Sequence, residues 1–130
     1  MILDTDTISY YLRGSQSVRK EFLKNRLSLA STTINYAELI FGLKKRDNKK
    51  YLSAVELIFN NITVFEFDKT SAKIFGRLKS SMQKTGNIVA DMDLMIASIA
   101  IANDKILISN NLKHFNKIKN LKVISWEKIL

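Results

Sequence analysis

The sequence of 130 residues has no cysteine and no proline, four glycines, one tryptophan and one histidine. Each scarcity removes an explanation. Without cysteine there is no disulfide framework, no thiol nucleophile and no Cys-ligated zinc, and a reducing compartment suits the chain. A lone histidine, His114, leaves no His pair at zinc spacing, so zinc hydrolysis is not expected. With so little Gly and no Pro there is no obvious linker, and no repeat or low-complexity segment occurs. Long apolar runs are missing as well: Leu94 to Ala102 is too short to span a bilayer and contains Ser98. No basic stretch leads into an apolar one at the N-terminus, as a secretory signal would require, so no membrane association is expected and the cytoplasm is the expected compartment.

What remains suffices for one domain. The length fits a single unit over residues 1–130, and a chain of this size buries roughly two-thirds of its unfolded surface without staples. Apolar runs of strand length alternate with stretches of helical period, which predicts an α/β fold on a mainly parallel sheet. The expected strands are Met1 to Asp4, Leu27 to Ala30, Val64 to Phe67, Ile106 to Ile108 and Val123 to Ser125. Between them, helices are expected around Ile8–Leu12, Val18–Leu23, Tyr36–Lys44, Leu52–Phe59 and Ala72–Met82, the last stopping near Gly86. Met92 to Asn103 is apolar almost all round and should be a buried helix.

Acids are the other scarcity. Asp and Glu number 12 against 21 Lys and Arg, a formal charge of +9. Such an excess favours nucleic acid or another polyanion as partner, although basic runs are often solvated faces. The run Lys44-Lys45-Arg46-Asp47-Asn48-Lys49-Lys50 reads as a loop, and Lys69, Lys73, Arg77, Lys79 and Lys84 spread along a helix.

Several of the few acids stand at the ends of apolar runs. Asp4 follows the first strand and precedes a helix, where it or its neighbours Thr5, Asp6 and Thr7 would also serve as an N-cap. Glu38 lies three residues after Asn35, the spacing of a capping box. Asp91 and Asp93 open the most apolar helix; one of them should be its cap, and two carboxylates exceed what capping needs. Asp93, further in, faces desolvation that a cation would offset. In parallel βα units ligands gather outside the C-terminal strand ends, where Asp4, Asn110 and Asn111 fall. Carboxylates gathered there in a basic protein point to a hard cation such as Mg²⁺ acting on phosphate.

Competing motifs are absent. There is no P-loop, no dinucleotide-binding glycine turn and no nucleophile elbow. Asp4-Thr5-Asp6-Thr7-Ile8 is similar to the opening of haloacid-dehalogenase phosphatases, but after Ser109 the only acid is Glu127, so their later acidic pair is missing.

Taken in order, four segments resemble the PIN domain, and within it the VapC toxins of bacterial toxin–antitoxin pairs. They are Ile2-Leu3-Asp4-Thr5-Asp6, Thr32 to Gly42 with its Ala37-Glu38-Leu39, Gly86 to Ala97 with Asp93, and Leu107-Ile108-Ser109-Asn110-Asn111 with Phe115, followed by Leu121 to Trp126. The resemblance covers essentially the whole chain. It implies a PIN-like single domain with about five short strands flanked by helices, and Asp4, Glu38 and Asp93 as an acidic triad holding Mg²⁺ or Mn²⁺. Many relatives carry a fourth acid where this chain has His114, and other branches use the position of Asn111. Asn111 and His114 are therefore auxiliary candidates; Asp91 joins them by position only, and Asp6 as a helix cap or a group supporting the triad. The implied activity is metal-dependent hydrolysis of RNA phosphodiester bonds. The implied partners are a small antitoxin that contacts operator DNA, and a second copy of the chain in a homodimer. The alternative is a catalytically weak PIN-like module that binds RNA or a partner.

Overall fold

The computed structural model describes residues 1–127. The chain runs β1 (Ile2–Leu3), α1 (Thr5–Leu12), α2 (Gln16–Lys24), a 3-10 turn (Arg26–Ser28), β2 (Ala30–Thr32), α3 (Thr33–Lys45) and α4 (Lys49–Asn60). It continues β3 (Thr63–Phe65), α5 (Lys69–Lys84), α6 (Asp91–Ala102), β4 (Leu107–Ile108), α7 (Leu112–Phe115) and β5 (Val123–Ile124). Residues 128–130 of the expected domain lie outside the described residues.

The strands form one sheet in the order β3-β2-β1-β4-β5, with every neighbouring pair parallel. Alternate strand residues face opposite sides. Ile2, Ala30 and Leu107 join one apolar cluster with Leu94, Ile96 and Ile99 of α6. Leu3 and Ile108 join a second with Ile8, Val18, Leu39 and Val55 from the first four helices. Burial on both faces is why the short central strands β1 and β4 are apolar at every position. α6 is buried along most of its length for the same reason; its Ser98 hydroxyl donates 2.7 Å to the Leu94 carbonyl and so needs no outside partner. Among the described residues no helix is long and apolar enough to cross a membrane.

The chain lays down β1, β2 and β3 outward in one direction, then returns to place β4 and β5 on the other side of β1. The order therefore reverses beside β1, and a crevice opens there outside the C-terminal strand ends.

The α/β fold with five parallel strands agrees with expectation, while several local details differ. Leu27 is not in a strand: it lies in the 3-10 turn and is 95% exposed, and pairing with β1 begins only at Ala30. An alternating Leu-Ser-Leu pattern resembles a strand, but no neighbouring strand reaches it. α3 starts at Thr33, capped by Thr32, whose hydroxyl accepts the Asn35 N–H at 3.1 Å, so Asn35 is not the cap. α6 is preceded by Ala90 without a side-chain cap, so neither Asp91 nor Asp93 caps it. The short helix α7 had no sequence expectation, being too brief for a periodic signal. The basic run from Lys44 is mostly the end of α3 and the start of α4, with only Arg46 to Asn48 between them.

Candidate active site

A cleft of about 440 Å³ opens at the reversal point, lined by Asp4, Thr5, Asp6, Glu38, Asp93, Asn110 and Asn111. β1 delivers Asp4, the first turn of α1 delivers Asp6, α3 delivers Glu38, α6 delivers Asp93, and the turn after β4 delivers the two asparagines. Among the described residues no Lys or Arg lines it.

Asp4 is buried and held on both oxygens. Its Oδ1 accepts the Asn35 amide at 2.9 Å and its Oδ2 accepts the Ser109 hydroxyl at 2.7 Å. Desolvation, and next the charge of Asp6, push its carboxyl up to about 7 despite the Ser109 hydrogen bond. The same Asn35 amide reaches Thr5 Oγ1 at 3.1 Å, and that hydroxyl donates to Glu38 Oε1 at 2.7 Å. Asn35 is itself oriented by Thr32, whose hydroxyl donates to its Oδ1 at 2.6 Å. One buried amide thus ties the acid of β1 to the acid of α3. Glu38 also titrates high, first through burial and then through the charges of Asp93 and Asp6, opposed by Thr5.

Asp6 Oδ2 accepts the Asn110 backbone N–H at 3.0 Å, which locks the turn after β4 against α1. Burial raises its carboxyl and this backbone bond works against the rise. Asp93 has no hydroxyl partner among the described hydrogen bonds. Its Oδ2 lies 3.8 Å from His114 Nδ1, and burial raises its carboxyl more than the imidazole lowers it. Asn111 Nδ2 stands 3.0 Å from the same Nδ1, and its backbone N–H donates to Ser109 Oγ at 3.0 Å.

The structure thus brings Asp4, Glu38, Asp93, Asp6 and Asn111 together, with His114 exposed behind Asp93 and Asn111. Asp91 is not in the cleft: its carboxylate points outward to Lys79 Nζ at 2.9 Å. Residues that the sequence reading did not place in the site are Asn35 and Ser109, which hold Asp4, and Thr5, which holds Glu38. Their signals were present: Asn35 precedes Glu38 by one helical turn, and Ser109 follows a strand directly.

The donor set is all oxygen along the cleft lining, which suits a hard divalent cation, and carboxylates raised by burial gain from one. The side chains converge on one cleft rather than on one point: among the described residues no three carboxylate or histidine groups form a ready-made metal cage. Hydrogen bonds to Asn35, Ser109 and Thr5 hold the acids in place while like charges favour their separation.

Known proteins resemble this chain in sequence and in fold. Residues 1–121 match the PIN domain. The chain is 30% identical to ribonuclease VapC2 of Rickettsia felis over 131 residues, covering 98% of each chain. It is 26% identical to the tRNA(fMet)-specific endonuclease VapC of Salmonella typhimurium, covering 96% of each. Its fold matches the crystal structure of VapBC2 from Rickettsia felis bound to a DNA fragment from their promoter, with a TM-score of 0.88 and 26% identity, covering 97% of this chain and 98% of that one.

Proposed function

The chain belongs to the PIN domain family, and on that premise we propose that it is a divalent-metal-dependent endoribonuclease acting as the toxin of a toxin–antitoxin pair. The observation that carries the reading is the cleft itself: Asp4, Asp6, Glu38 and Asp93 share one crevice at the sheet's C-terminal edge, and among the described residues no Lys or Arg lines it. The ribonuclease and endonuclease names of relatives matched over nearly their whole length support the substrate class.

Asp4, Glu38 and Asp93 are the residues that would hold Mg²⁺ or Mn²⁺. Such an ion supplies Lewis acidity toward a phosphodiester oxygen and makes bound water more acidic. Asp4, clamped by Asn35 and Ser109, is a fixed anchor. Glu38 is steadied by Thr5. Asp93 is the least tethered of the three and orients the attacking water, taking its proton as the water oxygen bonds to phosphorus in line and the opposite P–O bond to the ribose breaks, the departing ribose oxygen taking a proton from solvent. The Asn110 and Asn111 side chains offer amide donors to the phosphate without adding charge. His114, beside Asp93, stands where a relative's fourth acid would be and leaves the cleft with less negative charge.

The match to a VapBC complex bound to promoter DNA supports a small antitoxin as partner, with operator DNA contacted through that antitoxin, and a homodimer belongs to the same reading. A groove lined by Phe22, Leu29, Ile58 and the exposed Leu57 offers an apolar seat for it. Phe59 of the same helix lies in the core instead, edge-on to Tyr36 at 5.1 Å. The cytoplasm is the compartment this function requires.

The test is direct. The purified chain is incubated with RNA, initiator tRNA included, in Mg²⁺ or Mn²⁺, then with EDTA, and then as Asp93→Asn. Cleavage that disappears in both controls is expected. RNA binding without cleavage in any divalent ion would replace the enzyme by the binding module.

A further inference from the structure

A cleft of carboxylates attracts cations and repels RNA, so the phosphates on either side of the scissile bond need a cationic seat elsewhere. Two helices lead from the cleft to one. α1 begins at Thr5 and α3 carries Glu38, both in the cleft lining; eight residues further along each helix stand Arg13 and Arg46, each the C-cap of its own helix. A groove of about 140 Å³ opens between these ends, with Leu12, Leu39 and Leu43 along its floor, Tyr51 of α4 at one side, and Arg13 and Arg46 among its lining.

A helix C-terminus welcomes a cation, which accounts for each arginine singly but not for their shared groove. Neither guanidinium is paired with a carboxylate among the described residues, and both side chains are exposed. Arg13 is steadied where it stands: Nε donates to the Ser9 carbonyl at 3.4 Å and the guanidinium lies 5.0 Å over the Tyr10 ring. Around Arg46, Lys44, Lys45, Lys49 and Lys50 add charge of the same sign, opposed only by Asp47. Eight helical residues span about 12 Å, roughly three to four nucleotides of stacked strand.

We propose that Arg13 and Arg46 form a phosphate-binding subsite for RNA flanking the scissile bond, with Tyr51 offering a ring face for a base. The inference rests on the ribonuclease reading and adds to it where the strand runs. Paired, fork-shaped guanidiniums and an aromatic edge on a short groove fit a nucleic-acid backbone better than an apolar helix, which favours RNA over a protein partner here.

The test measures binding separately from cleavage. In the Asp93→Asn chain, a fluorescein-labelled tRNA is titrated at several salt concentrations, with and without Arg13→Gln plus Arg46→Gln. Affinity is expected to fall on the order of 10- to 30-fold near 0.1 M salt, and the slope of log K against log salt to shrink by about 1.4. The Lys-for-Arg pair should keep most of that slope, and Lys73→Gln plus Lys84→Gln, on the exposed face of α5, should change affinity far less. Unchanged thermal melting shows that the variants fold. Affinity and slope equal to the parent's would overturn the subsite, as would a parent that binds no RNA, or a double variant that keeps RNA but loses a stoichiometric protein partner. Absence of cleavage by the wild-type chain, with the double variant still weakening RNA binding, would instead remove the catalytic reading and leave the subsite standing.

Discussion

Asp91 and Asp93 share the first turn of α6, two residues apart, and meet opposite surroundings. Asp91 faces outward, largely exposed, and pairs with Lys79 at 2.9 Å. Asp93 turns into the cleft, loses much of its hydration, and finds Asp4 and Glu38 across the crevice and only an imidazole beside it. An exposed pair like the first contributes little, about 0–1 kcal/mol, and is screened by salt. The second arrangement works against folding on its own account, because burial and neighbouring like charges both disfavour the ionised acids. The same contrast holds at larger scale between the cleft, lined by no Lys or Arg among the described residues, and the basic ridge where α3 meets α4. Charge is sorted by function here, with acids where a cation is to sit and bases where a polyanion is to lie.

The sharpest way to break the contrast is to neutralise each aspartate in turn. Asp93→Asn is expected to lower RNA cleavage by on the order of 10²- to 10⁴-fold, whereas Asp91→Asn should leave kcat/KM within about twofold, as surface pairs do. Equal losses in a metal-supplemented single-turnover assay would mean that both carboxylates serve the cleft.

A smaller effect is expected from the amide that ties the site together. Asn35→Ala leaves Asp4 Oδ1 without its amide donor and the Thr32 hydroxyl without its acceptor, and should cost about 1–3 kcal/mol of stability by urea unfolding. Because Asn35 also orients Thr5 against Glu38, metal affinity should fall with it. Wild-type metal affinity in a variant that is merely less stable would confine Asn35 to the core.

The smallest effect is a pH dependence of the metal-free chain. With the Asp4 carboxyl pushed up to about 7 in the folded protein, against an ordinary 3.8, the fold holds a proton that the unfolded chain releases. In chelator, the melting temperature should therefore rise as pH falls from about 7 toward 4, and the gain should vanish in Asp4→Asn. Mg²⁺ or Mn²⁺ should raise the melting temperature more at pH 8 than at pH 5, since protons compete for the same carboxylates. A melting curve flat across that range would show that Asp4 is not desolvated.

Much of this was legible beforehand for identifiable reasons. Strands buried on both faces read as short apolar runs, which marks β1 and β4; the edge strands β3 and β5 are legible from their β-branched and aromatic residues, and α6 from being apolar on all sides. Leu27 misled because an alternating pattern carries no information about whether a neighbouring strand reaches it. α7 is a single turn, too short to leave a period. Within the cleft, Asp4, Glu38 and Asp93 stood out as acids beside apolar runs, whereas Asn35, Ser109 and Thr5 did not, because neutral hydroxyls and amides occur at caps and turns everywhere.

The amino-acid order alone determined the alternation of strand and helix, the excess of positive charge, and which few acids stand at element ends; each is a local property of period or composition. Only the tertiary structure decided that Asp93 faces Asp4 while Asp91 faces Lys79, and that Arg13 and Arg46, 33 residues apart, share one groove. Those outcomes depend on the sheet order and on the rotation of each packed helix. Both are set by how all the apolar faces are buried together, which no single stretch of sequence contains.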